Sequence, residues 1–136
     1  MVAITGATGM LGAYILFYLL KAGYSVKALK RESSSLAITQ TVFRFLGAPE
    51  DLLSKVTWVN GDLTSPEDIM DFISPGDTVY HAAAMVSFDP SEREKLFKTN
   101  ITGTQYVVDA CIEKQVAKLC YISSIAAIGS PENETE

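Results

Sequence analysis

The chain has 136 residues, 48% of them hydrophobic and 20% charged, a balance that fits one globular domain rather than a disordered segment. Its formal net charge of −5 argues against nucleic acid as a partner, because phosphate backbones bind basic surfaces. A dinucleotide remains compatible with this acidity, since backbone N–H groups and one or two local cations can hold it.

Short β-like runs alternate with helical segments along the chain, which predicts a parallel sheet with helices on both faces. Strands are expected at residues 1–5, 24–30, 55–60, 78–83 and 117–123. The first strand is followed by a helix that runs to about residue 22, and another helix is expected at 36–46. A polar cap, a proline and an acid start two more helices, at 65–68 and 89–92, the second reaching residue 114.

Three glycines, Gly6, Gly9 and Gly12, lie between the first strand and its helix. A tight strand-to-helix turn needs glycine where φ is positive and where the backbone approaches a pyrophosphate closely. The helix N-terminus then offers free N–H groups and a partial positive charge to phosphates. In this context the motif predicts a dinucleotide site, and the alternative is a glycine-rich turn that binds nothing.

The spacing of this turn resembles that of the extended short-chain dehydrogenase/reductase family, often called NAD-dependent epimerases/dehydratases. Four further segments match the family in order, so that the resemblance covers essentially the whole chain. These segments are Gly61-Asp62-Leu63, Tyr80-His81-Ala82-Ala83-Ala84, Asn100-Ile101-Thr102-Gly103-Thr104 and Tyr121-Ile122-Ser123-Ser124-Ile125-Ala126-Ala127-Ile128-Gly129.

The resemblance implies an open, doubly wound α/β sheet of the Rossmann type, with parallel strands in the order 3-2-1-4-5 and a cofactor at the carboxyl ends of strands one and four. Residues 1–136 would form one NAD(P)-binding domain, incomplete at its C-terminus and without the substrate lobe. The implied activity is hydride transfer between a nicotinamide and a carbinol or ketone carbon of a small molecule. Two alternatives stay open: a non-catalytic dinucleotide-binding regulator on the same fold, and an interaction module with an empty turn.

The resemblance also assigns residues around the cofactor. Asp62 would meet the adenine, although it could instead cap a turn before Leu63. Small residues after strand four would let the cofactor lie across the sheet. The expected cofactor-binding set is Gly6, Thr8, Gly9, Met10, Leu11, Gly12, Arg31, Asp62, Leu63, Ala82, Ala83, Ala84 and Asn100.

Two members of the matching segments are expected to be structural. Asn100 shares a helical face with Thr104 and Cys111, so we expect it to be buried and to hold the backbone of a neighbouring strand rather than react. We expect His81 to pack, or to make one satisfied hydrogen bond, rather than act as an acid or a base.

Ser124 is the candidate catalytic residue. The active-site hydroxyl of the family lies five residues before a glycine, which corresponds to Ser124 when counted from Gly129. Neighbours on a strand face opposite sides, so Ser123 would point away; alternatively, both serines satisfy backbone groups at the strand end. The family's Tyr-x-x-x-Lys motif does not occur after Ser124 before residue 136, so we expect no hydride transfer by this chain alone.

The choice of cofactor depends on the end of strand two. An acid about 20 residues beyond the glycine turn commonly binds the ribose hydroxyls of NAD. Here Lys30 and Arg31 hold that place, and an arginine pairs with a 2′-phosphate, which favours NADP. NAD stays open because Glu32 is adjacent, and both cations could simply be solvated.

The remaining expectations concern metals, branch and compartment. A single histidine and two cysteines outside any Cys-x-x-Cys pair argue against a zinc site, and we expect Cys111 and Cys120 to be reduced. The longest apolar run is too short to span a bilayer, so a cytoplasmic protein is expected. Residues 26–31 resemble the ketone/aldehyde reductase branch, which includes dihydroflavonol reductases. The family habit of pairing through the helix that contains Asn100 implies a homodimer for the complete protein.

Overall fold

A computed structural model describes residues 1–129, so the acidic tail at residues 131–136 lies outside the described part. Within that part, parallel strands form one sheet in the order β3-β2-β1-β4-β5, which confirms the predicted Rossmann-type topology. The strands are β1 (Val2–Thr5), β2 (Val26–Lys30), β3 (Thr57–Asn60), β4 (Thr78–His81) and β5 (Lys118–Tyr121).

The helices that connect these strands cover both faces of the sheet. The two predicted cap-and-proline starts are confirmed: Ser65 accepts the N–H of Asp68, and Asp89 accepts the N–H of Ser91. The second of them opens a short 3₁₀ turn before the α-helix begins. The helices are α1 (Met10–Lys21), α2 (Ala37–Phe45), α3 (Pro66–Phe72), α4 (Arg93–Phe97) and α5 (Gly103–Glu113).

A π-helical turn, Lys98–Thr102, divides the single helix expected over 89–114 into α4 and α5. Such a turn shifts the phase of the helix that follows it, and π turns are frequent at functional sites. The apolar side chains of this helical segment therefore separate into two groups. Val107, Ala110 and Cys111 are buried, whereas an exposed stripe consists of Phe97, Ile101, Val108 and Ile112.

Each face of the sheet packs against its own hydrophobic cluster. Along β1, Ile4 faces a cluster built with α1 and α2, and Ala3 faces one built with α3 and α5. A parallel sheet covered on both faces needs such continuous burial, and all of β1 is buried. This central strand therefore ends, at Thr5, in a rigid environment directly before the glycine turn.

Strands β4 and β5 each end two residues earlier than expected, at His81 and Tyr121. The alanines of residues 82–84 and the serines of 123–124 consequently lie in loops beyond the carboxyl ends of the strands. The sheet order reverses at β1 and β4, and this is where an open α/β sheet forms a crevice for a ligand. Among residues 1–129, every helix falls short of the length and apolarity required to traverse a bilayer.

Candidate functional site

A groove of about 870 Å³ opens at the carboxyl ends of β1, β2 and β4, a size common for small-molecule sites. It brings together twelve of the residues that the sequence assigned to a cofactor. Asn100 and Ser124 are not among the lining residues. The twelve are Gly6, Thr8, Gly9, Met10, Leu11, Gly12, Arg31, Asp62, Leu63, Ala82, Ala83 and Ala84.

Two of the three glycines in the turn are required by the fold itself. Gly6 has φ +79°, and a β-carbon there would lie 2.5 Å from the backbone nitrogen of Ala83. A β-carbon on Gly12 would overlap the carbonyl oxygen of Gly6. Both positions would therefore exclude larger residues even if the groove were never filled.

Gly9 differs from the other two because no contact within residues 1–129 demands glycine there. Its φ of −89° and ψ of 167° are extended values that any residue adopts. A β-carbon would contact only the Gly6 carbonyl oxygen, at 3.4 Å, an ordinary packing distance. Since Gly9 lines the groove, the space beside its Cα remains available to a ligand that approaches the backbone closely.

The N-terminus of α1 faces the same groove. Its cap residue, Gly9, has no side chain to accept hydrogen bonds, and the first turn contains no acid. The N–H groups of the first turn have no partner within a helix and remain available, with the positive end of the helix dipole behind them. The turn is held from α2, where the buried Thr39 hydroxyl donates to the Ala7 carbonyl at 3.0 Å. These features fit a phosphate group.

Asp62 closes the turn that the sequence offered as the alternative to adenine contact. Its Oδ1 accepts the N–H and the hydroxyl of Thr64, both at 2.8 Å, which closes a turn. The Thr64 N–H has the largest effect and lowers the pKa of Asp62. Burial has the next largest effect and raises it, whereas the Thr64 hydroxyl and the charges of Arg31 and Lys98 lower it, so the pKa lies below its ordinary value. No hydrogen bond from residues 1–129 uses Oδ2. This ionised carboxylate thus keeps one acceptor free for a ligand N–H.

Leu63 lines the groove from the loop after β3. Its side chain is buried in the cluster formed with α3 and α5. It packs so tightly on Gly103 that a β-carbon there would lie 2.8 Å from Leu63 Cγ. The leucine side chain therefore anchors the loop after β3 beside the groove.

Arg31 lies exposed just beyond the end of β2 and lines two adjoining hollows. One is the groove, and the other also includes Glu32, Asn60 and Asp68. Among residues 1–129, the ion pairs use other side chains and leave the guanidinium unpaired. The neighbouring Lys30 instead donates to Asn60 Oδ1 at 3.1 Å. Arg31 is therefore the cation at this edge that is available to an anionic ligand.

Sequence reasoning missed one wall of the groove. Lys95, Lys98 and Thr99 form part of it, from α4 and the π-helical turn. Spacings of three and four residues place these side chains on one helix face, which is the signal that could have found them. The wall adds two cations to a groove in a chain of net negative charge.

Asn100 supports the groove by hydrogen bonds to the backbone of Met85. Its Oδ1 accepts the N–H of Met85, and its Nδ2 donates to the Met85 carbonyl. It is half-buried rather than buried, and it holds the loop after β4 rather than a strand. Met85 itself lines the groove. In this structure Asn100 therefore shapes the groove without lining it.

Ser124 caps a short 3₁₀ turn, Ile125–Ile128, by accepting the Ala126 N–H at 3.2 Å. Because β5 ends at Tyr121, both serines lie beyond the strand, and alternating strand faces do not separate Ser124 from Ser123 as predicted. Both serines are exposed at the carboxyl edge of the sheet. The cap uses a lone pair of the Ser124 oxygen and leaves its hydrogen available to donate.

His81 makes two hydrogen bonds where one was expected. Nδ1 lies 2.6 Å from Thr5 Oγ1, and Nε2 lies 2.9 Å from Thr104 Oγ1. Its ring stacks on Tyr121, with 5.6 Å between the centroids. Burial lowers the pKa of His81 to about 4, so the ring is neutral at physiological pH and is not placed to exchange protons.

The comparisons with known proteins agree with this geometry. The family model described as the NAD dependent epimerase/dehydratase family matches residues 2–136. Sterol-4-alpha-carboxylate 3-dehydrogenase, decarboxylating, from Dictyostelium discoideum is 32% identical over 136 residues, covering 97% of this chain and 38% of that protein. Dihydroflavonol 4-reductase from Hordeum vulgare is 29% identical over 133 residues, covering 96% of this chain and 36% of that protein.

Among solved structures, Pen from Bacillus thuringiensis superposes with a TM-score of 0.76 at 29% identity, covering 94% of this chain and 38% of its own. The chain therefore spans little more than a third of the length of the relatives that it matches. The family match nevertheless extends over nearly every residue, and it includes all the segments that form the groove. The chain belongs to the NAD dependent epimerase/dehydratase family.

Proposed function

We propose that the groove binds a nicotinamide dinucleotide, with NADP preferred, and that the complete protein is an oxidoreductase or epimerase acting on a carbinol or ketone carbon. The observation that carries this proposal is Gly9. It offers open space beside the backbone at the N-terminus of α1, although the fold itself would accept a side chain there. A pyrophosphate held against free N–H groups needs this close approach.

The other groove residues suit the adenosine end of such a ligand. Oδ2 of Asp62 accepts no hydrogen bond from residues 1–129 and can accept from an adenine amine. Arg31 is unpaired within residues 1–129 and can meet a 2′-phosphate, which supports NADP. Glu32 lies beside Arg31 in the adjoining hollow and would serve the ribose hydroxyls of NAD instead.

A bound nicotinamide supplies the hydride chemistry, and the chain supplies positioning. Ser124 would donate a hydrogen bond to the reacting oxygen of the substrate, where negative charge develops. The tyrosine and lysine that the resemblance implies beyond Ser124 would handle the proton. On this proposal residues 1–136 form the nucleotide-binding domain, and turnover requires the rest of the protein.

The surface beyond β4 and β5 supports an apolar substrate. Val86 and Phe88, in the loop after β4, are 81% and 99% exposed, and Val86 lines the groove. Ile125 and Ile128 are exposed after β5. Large apolar side chains so placed favour contact with a ligand or with the remaining lobe. The relatives' names, a reductase and a dehydrogenase, support redox chemistry on such a molecule.

Two further features belong to this proposal. The exposed stripe of Phe97, Ile101, Val108 and Ile112 would pair with a second copy, giving a homodimer.

Cys111 and Cys120 are free thiols, which supports a reducing compartment such as the cytoplasm.

Titration of NADP⁺ into the protein by calorimetry tests the proposal, with Gly9→Ala and Gly12→Ala as a matched pair. Gly9→Ala should fold with a loss of no more than about 1 kcal/mol, because alanine caps helices less well than glycine, but bind at least about tenfold more weakly. Gly12→Ala should lose stability outright, since its methyl overlaps the Gly6 carbonyl. Absence of binding by the wild type, or equal binding by Gly9→Ala, would refute the proposal.

A further inference from the structure

His81 connects three elements that meet below the groove. It is the last residue of β4, it lies beside Thr5 in the register of the parallel strands β1 and β4, and it reaches Thr104 on α5. Thr5 is fully buried and precedes Gly6 directly. The buried imidazole thus stands between the helix α5 and the start of the glycine turn.

The hydrogen positions in the Thr5–His81–Thr104 hydrogen-bonded chain follow from the burial of its groups. The Ala83 N–H points at Thr5 Oγ1, at 3.4 Å, so this oxygen accepts from it. The hydroxyl hydrogen of Thr5 has only His81 Nδ1 as a described acceptor. If Nδ1 carried the ring proton, that hydrogen would be unsatisfied at a site with no solvent exposure, which is costly.

At Thr104, the other end of this hydrogen-bonded chain, a proton on His81 Nε2 leaves no group unsatisfied. With Nδ1 accepting from Thr5, the ring proton is on Nε2 and donates to Thr104 Oγ1 at 2.9 Å. Thr104 is half-buried, so its own hydroxyl hydrogen can meet solvent. Burial therefore selects the neutral tautomer that is protonated on Nε2.

The bond from Thr5 to His81 supports the contact between Gly6 and the backbone of Ala82 and Ala83, which line the groove. Gly6 lies so close to the backbone of Ala82 and Ala83 that no β-carbon fits between them. The Ala82 N–H donates to the Thr5 carbonyl at 3.2 Å, and the Ala83 N–H points at the Thr5 hydroxyl. A side-chain oxygen thus extends the pairing of β1 with β4 by one residue beyond the strand end.

We propose that His81, in the neutral form protonated on Nε2, is a positioning residue for nucleotide binding: through Thr5 it holds the glycine turn against the Ala82–Ala83 backbone. This inference rests on the proposed function of the groove. It concerns the Nδ1 side of the ring, because that side faces the turn, whereas the Nε2 side faces α5.

Nitrogen-15 NMR of the imidazole tests the tautomer without any ligand. His81 is the only histidine of the chain, so both ring nitrogens are assigned without ambiguity. At neutral pH, Nδ1 should give the signal of an unprotonated nitrogen and Nε2 that of a protonated one. A proton on Nδ1 would overturn the proposal.

Two conservative variants separate positioning from space filling. In His81→Asn the side-chain amide occupies the place of Nδ1, and in His81→Gln it occupies the place of Nε2. We expect His81→Asn to keep NADP⁺ affinity within about threefold of wild type and His81→Gln to lose roughly tenfold, the value of one buried hydrogen bond. A space-filling role predicts the reverse order, since asparagine leaves the larger cavity.

Thr5→Val removes the hydroxyl at nearly constant shape and should weaken NADP⁺ binding by at least about tenfold. Thr41→Val is the matched control: its exposed hydroxyl donates to Ala37 within α2, and its affinity should equal that of wild type. All affinities are measured where circular dichroism shows each variant fully folded. A wild type that does not bind refutes the proposed function as well, whereas equal affinities of wild type, Thr5→Val and His81→Gln refute only the role of His81.

Discussion

Asn100 grips the backbone of Met85 on both its polar groups, with 2.8 Å from Met85 N to Oδ1 and 2.8 Å from Nδ2 to the Met85 carbonyl oxygen. The asparagine lies in the π-helical turn, and Met85 lies in the loop that follows β4. This one side chain therefore connects the helical segment of Lys95, Lys98 and Thr99 to the loop of residues 82–85, both of which line the groove. It does so at the point where β4 has ended and no strand pairing remains.

Asn100→Ala should release that loop. Two buried or half-buried hydrogen bonds are lost, so we expect the free energy of unfolding to fall by about 1–3 kcal/mol. Hydrogen exchange at the Met85 amide should accelerate beyond the global change in stability. Asn60→Ala is the control, because Asn60 is exposed and, within residues 1–129, its side chain accepts a hydrogen bond only from Lys30. Unchanged protection of the Met85 amide in Asn100→Ala would show that other contacts hold the loop.

The buried His81 should make stability fall in mild acid. Its pKa is lowered to about 4 in the folded chain, from an ordinary value of 6.5. Between these pH values the unfolded chain binds a proton that the folded chain refuses, so the free energy of unfolding decreases as pH falls. Over this pH range the loss should amount to roughly 3 kcal/mol.

Urea unfolding at a series of pH values from 7 to 4 measures this dependence, since no second histidine contributes. His81→Gln cannot titrate there, and its stability should be flatter over the same window. Asp62, whose pKa is also lowered, contributes at lower pH and in both proteins. Parallel curves for wild type and His81→Gln would mean that His81 has the same pKa in the folded and the unfolded chain.

The parts of the fold that were predicted from the sequence depend on local patterns. The buried strands, the glycine turn and the Ser65 and Asp89 helix starts all follow from residues a few positions apart. Gly12 is an example: the atom with which a β-carbon at Gly12 would overlap belongs to Gly6, within the same turn. Such short-range requirements leave a readable signature in one sequence.

The features that were missed arise from contacts between distant segments. The π-helical turn accompanies the bond from Asn100 to Met85, and its phase shift decides which side chains of α5 are buried. Lys95 of α4 and Lys98 of the π-helical turn line the groove together with residues distant in sequence, so their role depends on tertiary packing. The ends of β4 and β5 depend on pairing along the whole sheet, so residue patterns overextended both strands by two positions.

Arg31→Ala should reduce the preference for NADP over NAD. The guanidinium is unpaired within residues 1–129 and lines the groove, so its loss should weaken NADP⁺ binding roughly ten- to hundredfold, the range for a charged hydrogen bond. Affinity for NAD⁺ should change little. Lys30→Ala is the matched control, since Lys30 is engaged with Asn60. Equal ratios of the two affinities in wild type and Arg31→Ala would remove the argument for NADP.

Ser124→Ala, made in the complete protein, should lower kcat by roughly ten- to a thousandfold with only a modest change in cofactor affinity. The hydroxyl would donate to the substrate oxygen as charge develops, so its removal affects the transition state more than binding. The serine also caps the Ile125–Ile128 turn, and loss of that cap could lower activity indirectly.

Ser124→Asp separates these two effects. An aspartate accepts the Ala126 N–H as a cap does, but it carries no proton to donate at neutral pH. Thermal stability should therefore recover relative to Ser124→Ala, while kcat stays low. Ser123→Ala is the positional control and should retain most of its activity. If Ser123→Ala is instead the more damaging change, the hydroxyl that faces the substrate belongs to Ser123, and the count of five residues back from Gly129 has picked the wrong neighbour.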